Sequence, residues 1–203
     1  MTSNAGNIID LYERHAAAYA RDRGTKLLNE KAWLDRFLAV SGSHTSILDL
    51  GCGTADPMAR YFIENGYAVT GVDSSATLIQ MCCGKFPIQR WIVADMRTLS
   101  LDMTFGGIVA WDSFFHLCPD NQRRMFPIFN DHSAPGAALM FTSGSSYGEA
   151  IGSYQGQPLY HASLDTQEYR ALLKENGFTV VSHVVEDPTC YGHTIWLAHK
   201  SLP

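Results

Sequence analysis

Runs of basic residues are missing from this 203-residue sequence, which has 15 Lys and Arg against 20 Asp and Glu. A net charge of -5, without any cluster of Lys or Arg, gives no electrostatic footprint for a polyanion. We therefore expect no nucleic acid as a partner, and we expect a small molecule instead.

Long apolar stretches are missing as well. No segment has the length of uninterrupted apolar residues that a membrane span needs, and the N-terminus lacks the basic and apolar regions of a secretory signal. We therefore expect a soluble, cytoplasmic protein without a membrane partner.

The cysteines form no CxxC pair. They occur at Cys52, Cys82, Cys83, Cys118 and Cys190. This spacing indicates neither a zinc site nor a disulfide framework, and His132, His183 and His199 have no partner at metal-ligand spacing. We expect no metal.

Short strand-like runs alternate with helix-like runs along the chain. They read SILDL, YAVTGVD, RWIVAD, GGIVAWD, AALMFTS, FTVVSHVV and HTIWLAHK. The alternation predicts an α/β fold, with a mostly parallel sheet covered by helices on both faces. The last two runs are separated by EDPTCYG, which is too short for a helical crossover and predicts an antiparallel hairpin. The length fits one domain over residues 1–203.

Two helices have recognisable start signals. Asp56 is predicted to be an N-cap, with Pro57 as the first helical residue. Asp165 and Glu168 are predicted to form a capping box at the start of a later helix.

Two further segments are predicted to cover the ligand edge of the sheet. Apolar residues recur at helical spacing over residues 7–20, which predicts an amphipathic helix within an N-terminal helical cover, residues 1–40. Residues 143–163 are rich in Gly, Ser and Tyr, and we expect an irregular surface loop that contacts the substrate.

The stretch ILDLGCGTADP, residues 47–57, runs from a strand into a glycine turn and a helix start. A Walker phosphate loop is excluded because no Lys lies between Lys31 and Lys85. A dinucleotide fingerprint requires a third glycine where this sequence has Asp56, whose charge would lie where a pyrophosphate binds.

Acids follow the next two strands. Asp73 ends YAVTGVD and could accept hydrogen bonds from ribose hydroxyls, a feature that alone also suits NAD. Asp95 follows RWIVA and could accept from an adenine amino group, while Met96 offers a backbone donor and an apolar contact. Together these residues predict an adenosine pocket without a phosphate site.

With these motifs the sequence resembles the class I S-adenosylmethionine-dependent methyltransferases, over roughly residues 7–200. Four of the family's motifs are matched in order by ILDLGCGTA, VTGVDSS, VADMRTL and FGGIVAWDSFFHL. The resemblance implies a Rossmann-like, doubly wound sheet of seven strands whose last strand is antiparallel. It also implies S-adenosyl-L-methionine (SAM) as the cofactor and methyl transfer as the activity.

By position, the resemblance assigns cofactor contacts to Asp49, Gly51, Cys52, Gly53, Asp73, Ser74, Asp95, Met96 and Trp111. Family members with a similar leading helix use its aromatic residues and a basic residue to cover the cofactor. That analogy adds Tyr12, Tyr19 and Arg23, and Arg23 could pair with the methionine carboxylate.

Methyl transfer from a sulfonium is an in-line displacement that depends mainly on positioning, although a hydroxyl, thiol or ammonium acceptor also needs a base. The candidate catalytic residues are Asp112, His116 and His161. His116 reads equally well as a satisfied, partly buried histidine, and His193 is predicted to be structural.

The acceptor is expected to be a small molecule, because Asp112-Ser113-Phe114-Phe115 departs from the motif of nucleic-acid amino methyltransferases. Two alternatives remain: an NAD-linked oxidoreductase, and a non-catalytic module that binds SAM. The sequence leaves the acceptor and the oligomeric state open.

Overall fold

A computed structural model describes residues 4–27 and 29–202 of the chain. The ends of the predicted domain and part of the predicted N-terminal cover (residues 1–3, 28 and 203) lie outside the described residues. The strands are β1 (Ser46–Leu50), β2 (Ala68–Asp73), β3 (Arg90–Val93), β4 (Phe105–Ala110), β5 (Ser133–Ser143), β6 (Gly148–Tyr154), β7 (Gln157–Ser163), β8 (Phe178–Asp187) and β9 (His193–Lys200). The α-helices are α1 (Ile8–Arg14), α2 (Ala16–Arg23), α3 (Lys31–Ser41), α4 (Met58–Glu64), α5 (Ala76–Lys85), α6 (Pro119–Asp131) and α7 (Thr166–Glu175).

Seven strands form one sheet in the order β3-β2-β1-β4-β5-β9-β8. The first five strands are parallel, and β9 is antiparallel to both β5 and β8. The predicted seven-stranded Rossmann-like sheet and its final hairpin are confirmed. The carboxyl ends of parallel strands meet at one edge, so the segments after β1, β2, β3 and β4 are brought together there.

Helices cover both faces of the sheet, as predicted. One core layer contains Trp33 and Phe37 of α3 and Phe62 of α4. The other contains Phe126 of α6 and Tyr169 of α7, among further buried aromatic residues. The sheet is therefore buried on both sides, and its carboxyl edge is left for a ligand.

The leading helix differs from its prediction. The amphipathic pattern over residues 7–20 predicts one helix, but His15 leaves helical geometry, with φ -108° and ψ 18°, and separates α1 from α2. Among the described residues, no helix combines the length and the apolar character that a bilayer crossing requires.

The two predicted caps turn out differently. Helix α4 begins at Met58 without a side-chain cap, because the buried Asp56 carboxylate pairs instead with Arg60 at 2.5 Å and Lys85 at 2.6 Å. Two cations neutralise Asp56, so the charge argument against a pyrophosphate fails. Asp165 does cap α7, accepting from the Gln167 backbone N–H at 2.7 Å, whereas Glu168 pairs with Arg123.

Residues 143–163 are not the irregular loop that their composition predicts. They form the end of β5 and a two-stranded antiparallel sheet, β6–β7. Gln155 and Gly156 make its two-residue turn with φ 50° and 73°, and the Gly in this turn was the available sequence signal.

Candidate cofactor and active site

A cleft opens at the carboxyl edge of the sheet, with an empty volume of about 810 Å³ that includes space open to solvent. Its walls come from the segments after β1, β2, β3 and β4, from the first turns of α6, and from the N-terminal helices. It brings together these predicted site residues: Tyr12, Tyr19, Gly51, Gly53, Asp73, Ser74, Asp95, Met96, Asp112 and His116.

The other predicted residues are not among those that line the cleft. Arg23 pairs with Glu30 at 2.8 Å. Asp49, Cys52 and Trp111 are buried beside lining residues, and His161 lies behind His116, with their ring centroids 4.9 Å apart.

Some lining residues were missed by the sequence analysis. Arg97 and Ser113 each follow a predicted residue directly, so adjacency was the available signal. Ile8, Ile9 and Asn121 come from helices whose orientation over the cleft the sequence does not disclose.

Side chains pack closely against the glycine turn on two sides. Gly51 and Gly53 have φ 74° and 55°, a region that side chains disfavour. A Cβ on Gly51 would lie 2.3 Å from Cβ of Ser113, and one on Gly53 would lie 2.8 Å from the Tyr19 ring. Only glycine fits this turn.

Asp73 is tied to the glycine turn. Its Oδ2 accepts from the Gly53 backbone N–H and its Oδ1 from the Ser75 N–H, both at 2.9 Å. Burial raises the pKa of Asp73 to about 6. Each oxygen keeps a lone pair, so the carboxylate can still accept from hydroxyl groups.

Asp95 is engaged by its neighbour Arg97. The Arg97 side chain reaches both carboxylate oxygens, at 2.5 to 2.9 Å, and the Arg97 backbone N–H adds a further bond. Burial acts to raise the pKa of Asp95, but the hydrogen bonds from Arg97 hold it below its usual range. Asp95 is therefore ionised, and both of its oxygens already accept hydrogen bonds from Arg97.

His116 is buried and has hydrogen bonds on both nitrogens. Its Nδ1 lies 2.8 Å from the Tyr160 carbonyl oxygen, which can only accept, so Nδ1 carries the proton. Burial lowers the pKa of His116 to about 4, and the neutral ring accepts the Tyr12 hydroxyl proton at Nε2, 2.9 Å away. This histidine orients Tyr12.

Helices α1 and α2 and the β6–β7 hairpin form a structure that we name the cover. Tyr12 packs edge-on against Tyr19 and stacks on Tyr154, with ring centroids 5.4 and 6.1 Å apart. The Tyr154 hydroxyl donates to Asp22 of α2 at 3.0 Å. The cover is thus joined across the two segments that the sequence predicts to lie over the ligand.

Helix α1 is fastened to the start of α5 by one carboxylate. Glu13 accepts from the Ser75 hydroxyl at 2.5 Å and from the Thr77 hydroxyl at 2.6 Å. The hydrogen bond from Ser75, followed by that from Thr77, lowers the pKa of Glu13.

Buried polar atoms without a partner adjoin the cleft. Within the described part of the chain, neither Oδ2 of Asp49 nor Nε1 of Trp111 has a hydrogen-bond partner. Burial, and then repulsion from Asp73, raises the pKa of Asp49 to about 7. These atoms and the closely covered glycine turn fit a polar, partly cationic ligand such as SAM. No group of three His, Cys, Asp or Glu residues that could hold a metal occurs in residues 4–27 and 29–202.

Comparisons with known proteins identify the family of this chain. A family model described as a methyltransferase domain matches residues 13–183. The chain therefore belongs to this methyltransferase family, which confirms the predicted family and its cofactor, SAM.

One curated relative is the malonyl-[acyl-carrier protein] O-methyltransferase of Pseudescherichia vulneris. It is 27% identical over 143 residues, and the match covers 66% of this chain and 56% of the relative. The match thus spans little more than half the length of this relative.

Two solved structures share the fold. SAM-bound CalS10, an amino pentose methyltransferase from Micromonospora echinaspora, is 19% identical with a TM-score of 0.71, covering 93% of this chain and 97% of that one. SAM-bound magnesium protoporphyrin IX methyltransferase from Synechocystis PCC 6803 is 14% identical with a TM-score of 0.74, covering 99% of both chains.

Proposed function

We propose that this methyltransferase acts on a small-molecule acceptor, bound in the cleft beneath the cover. One observation carries the proposal. The cleft is continuous from the acids that suit an adenosine, Asp73 and Asp95, to a second group of polar residues, Tyr12 and Asp112. A donor and a small acceptor can therefore share one cleft.

When bound, SAM supplies an electrophilic methyl group on a sulfonium to a nucleophile in line with it. The Asp73 carboxylate would hold the ribose hydroxyls, and Asp95 and Met96 the adenine edge. The buried carboxylate of Asp49 would compensate positive charge near the glycine turn. Tyr12 and Tyr19 exclude water from above, because both aromatic rings line the cleft.

Tyr12, His116 and His161 would form the acceptor side in this proposal, and Asp112 would lie between them and the cofactor. His116 keeps the Tyr12 hydroxyl proton turned toward itself, so Tyr12 Oη offers only lone pairs to an acceptor N–H or O–H. Asp112 adds a carboxylate in the cleft. His161, whose pKa is lowered by burial, supports the ring of His116 from behind.

The charges in the cleft favour an amine or hydroxyl acceptor over a free carboxylate. Among the described lining residues, the only Lys or Arg is Arg97, and Asp95 neutralises it. A carboxylate would also face Asp112 without a compensating cation. An amino sugar, the class named for the Micromonospora protein, therefore suits the cleft better than the malonyl group named for the curated relative.

A direct assay is a panel of acceptors incubated with methyl-labelled SAM. We expect label in amino sugars or small amines and formation of S-adenosylhomocysteine (SAH). Transfer only to malonyl-carrier protein would contradict the acceptor class. Tight SAH binding without transfer to any acceptor would favour a non-catalytic module. The Asp112→Asn variant, which keeps the side-chain shape but lacks the charge, is assayed in parallel as the matched control.

A further inference from the structure

His193, at the first position of β9, has an acceptor atom opposite each ring nitrogen. Its Nδ1 lies 2.8 Å from the Cys190 carbonyl oxygen, and its Nε2 lies 2.8 Å from Oδ1 of Asp112. A carbonyl oxygen can only accept, so Nδ1 carries a hydrogen. A hydrogen must also lie between Nε2 and Oδ1, because otherwise two lone pairs would face each other.

That shared hydrogen belongs on the imidazole. A carboxylic acid gives up its proton more readily than an imidazolium does, so the pair consists of an imidazolium and a carboxylate. The Trp111 ring stacks on the imidazole with centroids 5.5 Å apart and 26° between the planes, a favourable contact for a cation.

The groups around His193 are mostly acidic. Asp112 follows β4, Glu30 precedes α3, and Asp187 is the register partner of His193 on β8. The buried Cys190 thiol and Tyr191 lie in the turn before His193. Two basic groups beside these acids have partners of their own, since Arg23 pairs with Glu30 and Arg36 lies over the Trp33 ring. This setting stabilises a positive ring.

Asp112 lines the cleft, whereas His193 is not among the lining residues. The Asp112 backbone is also constrained, with φ 49° and its N–H donating to the Thr142 hydroxyl at 2.9 Å. His193 holds Oδ1 of this carboxylate, and within residues 4–27 and 29–202 no hydrogen bond occupies Oδ2.

We propose that His193 is a positioning residue: as an imidazolium it holds Asp112 as a fixed anion on the cleft wall, which binds the cationic part of the cofactor. This inference rests on the proposed function, because it assigns Asp112 to the same cleft. It also assigns a role in the reaction to a histidine whose sequence context predicts a structural one.

A pH dependence follows. The hydrogen bond with Asp112 raises the pKa of His193, so the ion pair persists above the usual imidazole pKa and is lost as the pH rises through the raised value. Above that pKa the ring is neutral, so the Nε2 lone pair repels Oδ1 and His193 no longer holds the Asp112 carboxylate. Cofactor affinity should therefore fall on the alkaline side.

The experiment is isothermal titration of SAH into the full-length protein from about pH 6 to about pH 10. We expect wild-type affinity to fall about tenfold across this range, the scale of one pKa unit of coupling. His193→Gln and Asp112→Asn should each bind more weakly near neutral pH and show a smaller fall, which leaves only the effect of deprotonating the amino group of SAH itself. The double variant should match either single variant. His44→Gln, a histidine outside the cleft, should follow the wild type.

Nitrogen NMR of the histidine rings in the wild type tests the same claim without any variant. Both His193 nitrogens should be protonated near neutral pH, and Asp112→Asn should lower the pKa of this ring. A neutral His193 ring in this spectrum, or the same pH dependence of SAH affinity in the wild type and in a folded His193→Gln variant, would overturn the proposal.

The outcomes separate the two proposals. If the wild type binds SAH and transfers methyl groups but His193→Gln behaves identically, only the positioning role fails. If the protein binds SAH but methylates no small molecule, the proposed function fails instead, whatever the result for His193→Gln.

Discussion

Asp73 is the residue on which cofactor binding should depend most. Asp73→Asn keeps the shape but removes the charge, so SAH binding should weaken by roughly 1.5 to 3 kcal/mol, the scale of hydrogen bonds to a charged group. Titration calorimetry measures this loss, with the exposed Asp131→Asn as the matched control.

The same residue predicts an acid-side pH dependence. The pKa of Asp73 is about 6, so the carboxylate becomes protonated, and SAH affinity falls, as the pH falls through about 6. Asp73→Asn should lack this fall. Equal acid sensitivity in both proteins would show that another group controls binding.

Asp49 should oppose folding in the absence of a ligand. Its buried carboxylate has an unpartnered oxygen and a pKa of about 7, so the folded state keeps a proton that the unfolded state releases near pH 4. Stability should fall as the pH rises from about 4 to about 7, because the folded state binds more protons in that window.

Replacing this carboxylate should therefore stabilise the ligand-free protein. At about pH 8, Asp49→Asn should raise the free energy of unfolding by about 1 to 3 kcal/mol, the scale of a buried unsatisfied polar group, while SAH affinity falls. Urea unfolding measures the first effect, with exposed Asp102→Asn as the control. A destabilised Asp49→Asn protein would contradict this account of the site.

At the scale of the element, α1 should depend on Glu13 for its place over the cleft. Glu13→Ala removes the bonds to Ser75 and Thr77, so amide hydrogen exchange should speed up across α1 and SAH should bind more weakly. Asp10→Ala changes a carboxylate on the same helix outside this contact. Unchanged exchange in Glu13→Ala would mean that Tyr12 and its aromatic neighbours suffice to hold α1.

Elements whose residues interact within a short stretch could be predicted from the sequence. The glycine turn, the acid ending β2 and the β8–β9 hairpin are local patterns of strand, turn and spacing, and all are present. Contacts between residues far apart in the sequence could not be predicted. Lys85 forms an ion pair with the Asp56 carboxylate, and His116 accepts a hydrogen bond from the Tyr12 hydroxyl, 104 positions away. Composition also failed to predict the β6–β7 strands, because Gly and Ser residues favour turns when tertiary contacts are not considered.

For the whole molecule, one sheet shared by two core layers predicts a single cooperative unit. Far-ultraviolet circular dichroism and Trp fluorescence should give one coincident thermal transition, whose midpoint rises with SAH concentration because the ligand binds only the folded state. Two separate transitions would contradict the prediction of a single domain over residues 1–203.

The most direct test of the central claim is a calorimetric comparison of ligands on the wild-type protein. The cleft is assigned to an adenosyl sulfonium cofactor, so SAM and SAH should bind at micromolar concentrations and NAD should not bind. Tight binding of NAD, without binding of SAM or SAH, would contradict the account.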